Sequence, residues 1–199
     1  MVQIHLRAPF YFMPKLPKIP YKLYNEHNRE RNACLGLSDR LRILSKSTIS
    51  FLIKNHRQVV DKNLPVMEKT FATLQDKLKY HPYLYAVPAI NVGFEEYVEA
   101  VLLSNYLKNK PLPTAASLKV TADTYLGGLS DLTGELVRLA HQDKKQVKTI
   151  HDYVAKIYDL TIPLSITRNN STRTKLETIG TNLKKIESVI YDLKLRDKI

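Results

Sequence analysis

Four carboxylates stand at spacings that a helix turns into a chemical surface. In Phe94-Glu95-Glu96-Tyr97-Val98-Glu99-Ala100, Glu96 and Glu99 are three residues apart. In Asp131-Leu132-Thr133-Gly134-Glu135-Leu136, Asp131 and Glu135 are four apart. On a helix each spacing puts both side chains on one face, with Cβ atoms roughly 5–6 Å apart. Both motifs lie within apolar helical patterns, so part of each pair is expected to face inward. Buried like charges raise one another's pKa and destabilise a fold unless a cation neutralises them. A cluster of hard carboxylate oxygens suits Mg²⁺ or Mn²⁺. Plainer roles also exist. Glu95 and Glu96 could offset a helix macrodipole near an N-terminus, and Glu135 could pair with Arg138 at i,i+3. Spacing does not decide between these, because it does not say whether the two helices meet.

The elements that would have to bring them together are helical. Pro9, Pro14, Pro17 and Pro20 mark residues 1–20 as an extended, Pro-rich arm, leaving 21–199 as one helical domain. Leu37, Leu41, Leu44, Phe51 and Leu52 form an apolar stripe on a long helix from about Tyr24 to Gln58. Pro65 suits the first turn of a second helix, whose apolar face is Met67, Phe71, Leu74 and Leu78. A third helix is expected over about Val92 to Lys108, carrying Glu96 and Glu99. A short one follows near Ala115 to Val120, and a fifth from about Ala122 to His141 carries Asp131 and Glu135. Gly127, Gly128 and Gly134 each cost this helix ~1 kcal/mol relative to Ala, and their expected use is close approach to a neighbouring helix. A sixth helix covers about Val147 to Leu160. The last, about Thr172 to Leu195, has Leu176, Ile179, Leu183, Ile186, Ile190 and Leu193 at helical spacing. No segment alternates at period two. The expected fold is all-α, an antiparallel bundle of six to seven helices.

The body around the acids is basic. The 199 residues carry 31 Lys plus Arg against 19 Asp plus Glu, a net charge of +12, which favours a polyanionic partner. Arg40, Arg42, Lys46, Lys54 and Arg57 lie along the first helix, and Lys144, Lys145 and Lys148 cluster after the acidic one. Of these, Arg40, Arg42, Lys46, Lys144, Lys145 and Lys148 are the candidate phosphate contacts, which give affinity with little sequence specificity. Tyr97 reads as core packing and His141 as a surface histidine. Cys34 is the only cysteine, so no intrachain disulfide or cysteine zinc site is available, in keeping with a reducing compartment. No apolar run approaches the ~18 residues of a membrane span. The reading is a soluble protein of the cytoplasm, and of the nucleus as a second site.

The two acidic motifs also resemble a known family. Glu96-Tyr97-Val98-Glu99-Ala100-Val101 resembles a signature of the translin family, and Tyr125-Leu126-Gly127 followed by Asp131-Leu132-Thr133-Gly134-Glu135-Leu136-Val137-Arg138 resembles its other signature. The second wording is that of the translin-associated factor X (TRAX) branch. Asp39-Arg40 with Ser45 to Leu52 resembles the family's first helix, and Lys184 to Arg196 its last. The resemblance implies a seven-helix subunit that joins translin in a hollow, octameric shell binding single-stranded RNA or DNA. It implies a Mg²⁺-dependent endoribonuclease site at Glu96, Glu99, Asp131 and Glu135, with Glu95 given no role. Relatives clear small-RNA passenger strands or trim tRNA-derived fragments. A non-catalytic, translin-like nucleic-acid-binding subunit is the alternative.

Overall fold

Prolines and left-handed residues set the helix boundaries. The computed structural model describes residues 16–164 and 171–196. Most of the expected Pro-rich arm therefore lies outside the described residues. Helix α1 spans Tyr21–Ile53 and begins directly after Pro20. It stops short of the expected Gln58 because Asn55 adopts a left-handed φ of 57°. The Asn55 amide then donates to the Leu52 carbonyl at 3.1 Å and the His56 amide to Phe51 at 2.9 Å. This Schellman pair closes the helix, and asparagine tolerates the conformation better than most residues.

Helix α2 spans Arg57–Tyr80, so Pro65 lies inside it rather than in its first turn. That corrects the expected start. Val60 is buried and extends the apolar face of Met67, Phe71, Leu74 and Leu78 two turns earlier. Pro65 and Asp61, whose carbonyl loses its amide partner, are both exposed, so water can take that acceptor. A short 3₁₀ turn over Pro82–Ala86 leads to α3, Pro88–Leu107. Pro88 occupies the first turn after an extended Val87, so the helix starts about a turn before the expected Val92. It ends in the same manner as α1, with Asn109 at φ 52°.

Helices α4 (Ala115–Leu118), α5 (Ala122–Gln142), α6 (Val147–Thr161) and α7 (Ser171–Leu195) complete the chain. The Thr121 hydroxyl caps α5 by accepting from the Thr124 amide at 3.2 Å. The all-α expectation holds, with no strand among the described residues. Helices α1, α3, α5 and α7 pack successively on one another, with α2 against α1 and α6 against α7. Leu41, Ile90, Leu102, Leu132, Leu136 and Ile179 are fully buried between them.

Small residues bring the acid-bearing helices close. A Cβ at Gly93 on α3 would collide with Ser38 on α1. The Ser38 hydroxyl in turn donates to the Ala89 and Ile90 carbonyls at 2.9 and 3.1 Å. On α5, a Cβ at Gly128 would lie 2.6 Å from Val98 Cγ1 and 3.0 Å from the Glu95 carbonyl oxygen. One at Gly127 would lie 2.7 Å from the Glu95 side-chain Cδ. Gly127 and Gly128 therefore serve the expected close approach. Gly134 does not: its nearest neighbour would be Asn182 Nδ2 at an ordinary 3.7 Å.

This difference is measurable by urea unfolding. Gly128→Ala should destabilise by about 1–3 kcal/mol through overpacking. Gly134→Ala should be neutral or stabilise by up to ~1 kcal/mol, the helix-propensity gain. Equal losses at both positions would contradict the packing described.

Candidate active site

The four acids line one cavity of about 540 Å³, open between α1, α3, α5 and α7. Helix α3 contributes Glu96 and Glu99, and α5 contributes Asp131 and Glu135. Their i,i+3 and i,i+4 spacings put each pair on the helix face that meets the other helix. Asn182 on α7 helps fix that face by donating to the Thr133 hydroxyl at 2.9 Å. The Ser130 hydroxyl donates to the Lys175 carbonyl at 2.8 Å, tying α5 to α7 a turn away.

Each acid has a different electrostatic setting. Glu96 meets Lys46 of α1, with Nζ 3.0 Å from Oε1. Asp131 meets Lys175 of α7, with Nζ 2.6 Å from Oδ2. Glu135 keeps its expected i,i+3 pair: Arg138 Nη1 lies 3.2 Å from Oε2 and donates to Oε1 at 3.4 Å. Its Oε2 is fully buried and accepts no aligned hydrogen bond. Burial raises the Glu135 pKa, and Arg138 only partly offsets that. Glu99 is 7% exposed. No hydrogen bond or ion pair reaches its carboxylate among the described residues. Burial first, then the charges of Asp131, Glu96 and Glu135, push its pKa up to about 8, against a weaker pull from Lys175.

As they stand, no three His, Cys, Asp or Glu side chains among the described residues are grouped to hold a metal ion. Lys46 and Lys175 each engage one of the carboxylates. The donor set nevertheless fits a hard divalent cation. All four donors are carboxylates, and among the described residues one has no cation partner and another has a buried oxygen without a hydrogen bond.

The structure revises several expectations. Glu95 and Glu96 sit too far from the start of α3 to offset its macrodipole, since the first turn holds no acid. Glu95 does have a partner: it lies 3.2 Å from Lys175 Nζ and is lodged against Gly127. Burial raises its pKa, partly countered by Lys175. Of the six candidate phosphate contacts only Lys46 lines the acidic cavity. Arg40 faces a separate groove beside Pro65 and Lys69. Arg42 pairs with Asp39 at 3.3 Å. Lys144 and Lys145 are exposed in the turn after α5, and Lys148 lies beside His151 and Glu187. Lys175 is the cation that the sequence reading passed over. Arg138 was visible at i,i+3 from Glu135; Lys175 is 44 residues from Asp131 and had no local signal. Tyr97 is buried as expected, stacked on Phe71 at 4.2 Å, and His141 is exposed.

The raised Glu99 pKa sets a pH dependence. Between the ordinary 4.5 and about 8, the folded state keeps a proton that the unfolded chain has released. Stability therefore falls as pH rises through that window and levels off above it. Thermal melts of chelator-treated protein from pH 5 to 9 should show this decline. Glu99→Gln should flatten its Glu99 component and raise the melting temperature at pH 8. An unchanged profile in that variant would show that Glu99 does not carry the effect.

Comparison with known proteins agrees with this fold. Mouse translin-associated protein X is 28% identical over a stretch covering 54% of this chain and 50% of that protein. The same protein from Pongo abelii is 27% identical with the same coverage. The chain thus spans about half the length of the curated relatives it matches. The crystal structure of apo-NeC3PO superposes with a TM-score of 0.79 at 24% identity, covering 88% of this chain and 98% of that one. The structure of AfC3PO with duplex RNA gives 0.73 at 20% identity, covering 88% and 95%. The translin family model matches residues 29–197. This chain belongs to the translin family.

Proposed function

We propose that this chain is the catalytic subunit of a translin–TRAX-type endoribonuclease that cleaves single-stranded RNA or RNA fragments with Mg²⁺ or Mn²⁺. One observation carries the reading: Glu99 is buried in the acidic cavity without a cation. A buried, uncompensated carboxylate is costly, and a strongly perturbed acid in a cleft marks a functional site. A neutral side chain would fill the same space more stably. Glu96, Glu99, Asp131 and Glu135 would hold the cation. When bound, it supplies positive charge to the scissile phosphate and acidifies water. Lys46 and Arg138, on the same cavity, can draw a phosphate towards the acids. RNA as the polyanion is in keeping with the net charge of +12 and with the duplex RNA held by AfC3PO. A translin subunit would complete the RNA-binding shell, an octamer in this reading.

A second reading, a non-catalytic subunit that binds single-stranded RNA or DNA, is favoured by the lysines. Lys46 and Lys175 already neutralise Glu96 and Asp131 without metal.

The two readings part in one experiment. Co-expressed with its cognate translin, the chain should form a large hetero-oligomer that cuts single-stranded RNA with Mg²⁺ and stops with chelator. Glu99→Ala should abolish cutting while assembly and RNA binding persist, and millimolar Mg²⁺ should raise the wild-type melting temperature more than the variant's. Binding should weaken steeply with salt. Wild-type cleavage rates in both Glu99→Ala and Asp131→Ala would transfer the assignment to the non-catalytic reading.

A further inference from the structure

Lys175 has the geometry of an internal counter-ion. Its Nζ lies 2.6 Å from Asp131 Oδ2 and 3.2 Å from Glu95 Oε2, joining α7 to α5 and α3. The side chain is only 30% exposed, and its two partners 33% and 27%. The arrangement is built from both sides. Gly127 leaves room for the Glu95 carboxylate, since a Cβ there would lie 2.8 Å from Glu95 Oε2. The Lys175 carbonyl is itself fixed by the Ser130 hydroxyl at 2.8 Å.

We infer that the Lys175 ammonium competes with a divalent cation for the Asp131 carboxylate and so sets how tightly the acidic cavity binds metal. The inference rests on the metal-site reading above. A short, charge-assisted bond of this kind is among the stronger polar contacts in a protein. It must weaken before Oδ2 can serve as a ligand. Glu95, which among the described residues only Lys175 engages, provides the ammonium with an anchor once Asp131 turns to the metal. Lys175 is thus a positioning residue: it acts on the cation through Asp131 and need touch no substrate.

Isothermal titration of the metal-free full chain with Mn²⁺ alone tests this. Lys175→Met should bind Mn²⁺ about tenfold more tightly than wild type, ~1.4 kcal/mol, and should melt lower without metal. Lys175→Arg, which keeps the charge and can grip Asp131 with two hydrogen bonds, should bind Mn²⁺ no more tightly than wild type. Because Lys175→Met leaves two facing carboxylates and could fold poorly, the same substitution is also made in a Glu95→Gln background. There it should again tighten Mn²⁺ binding relative to Glu95→Gln alone. Binding that is unchanged or weaker in the methionine variants, with wild type still binding, overturns the competition and leaves the metal site standing. No Mn²⁺ binding by any variant or by wild type overturns both.

Discussion

The burial of Glu99 is the constraint on which the rest of the structure turns. A carboxylate at 7% exposure has lost most of its hydration, and three further acids crowd the same cavity. Desolvation and like charge both oppose ionisation there. The fold answers this at the periphery of the cluster. Lys46 engages Glu96, Lys175 engages Asp131 and Arg138 engages Glu135. Each cation comes from a different helix: α1, α7 and α5. None reaches Glu99. The cluster is therefore balanced on its rim and unbalanced at its centre, and the central acid relieves the strain by holding a proton.

Such crowding needs helices that approach more closely than side chains normally allow. Gly93 against Ser38 draws α3 onto α1, and Gly128 against Val98 draws α5 onto α3. Gly127 has another use, as a recess for the Glu95 side chain. These glycines weaken their helices as isolated elements, so their presence makes sense only in the packed bundle. Gly134 differs because it borders the cavity rather than a contact. With no side chain there, space remains between Asp131 and Glu135 on the face that meets α7.

Much of this was legible in the sequence, and the failures have physical causes. The acidic pairs were visible because helical spacing is local, and the α7 stripe was visible for the same reason. Helix ends were harder to place. Asn55 terminates α1 through its left-handed backbone, which an asparagine permits but does not announce. Pro65 reads as a helix start, yet exposure of Asp61 lets it sit within α2. The basic residues misled in a different way. Along α1, Arg40 and Lys46 differ by six positions, or roughly 240° around the helix at 3.6 residues per turn, so a basic run is not a basic face. Lys175 could not be found at all by pattern, because its partners come from other helices.

Under the proposed metal-binding function, the placement of the lysines answers a conflict between two states. A metal-binding cavity must also survive without metal, when its carboxylates repel one another. Monovalent ammonium groups on long, flexible stems suit that interval. They neutralise the rim, yet each carries half the charge of a divalent cation. At similar distances the divalent ion gains about twice the Coulomb energy, so it can displace an ammonium that water would not. A bidentate Arg pair at Asp131 would be harder to dislodge. Among the described residues, the one guanidinium at the cavity instead faces Glu135, on the same helix and at i,i+3, where the pairing is weak and partly exposed. The acid at the centre, without any cation of its own, is then the group with most to gain from a metal.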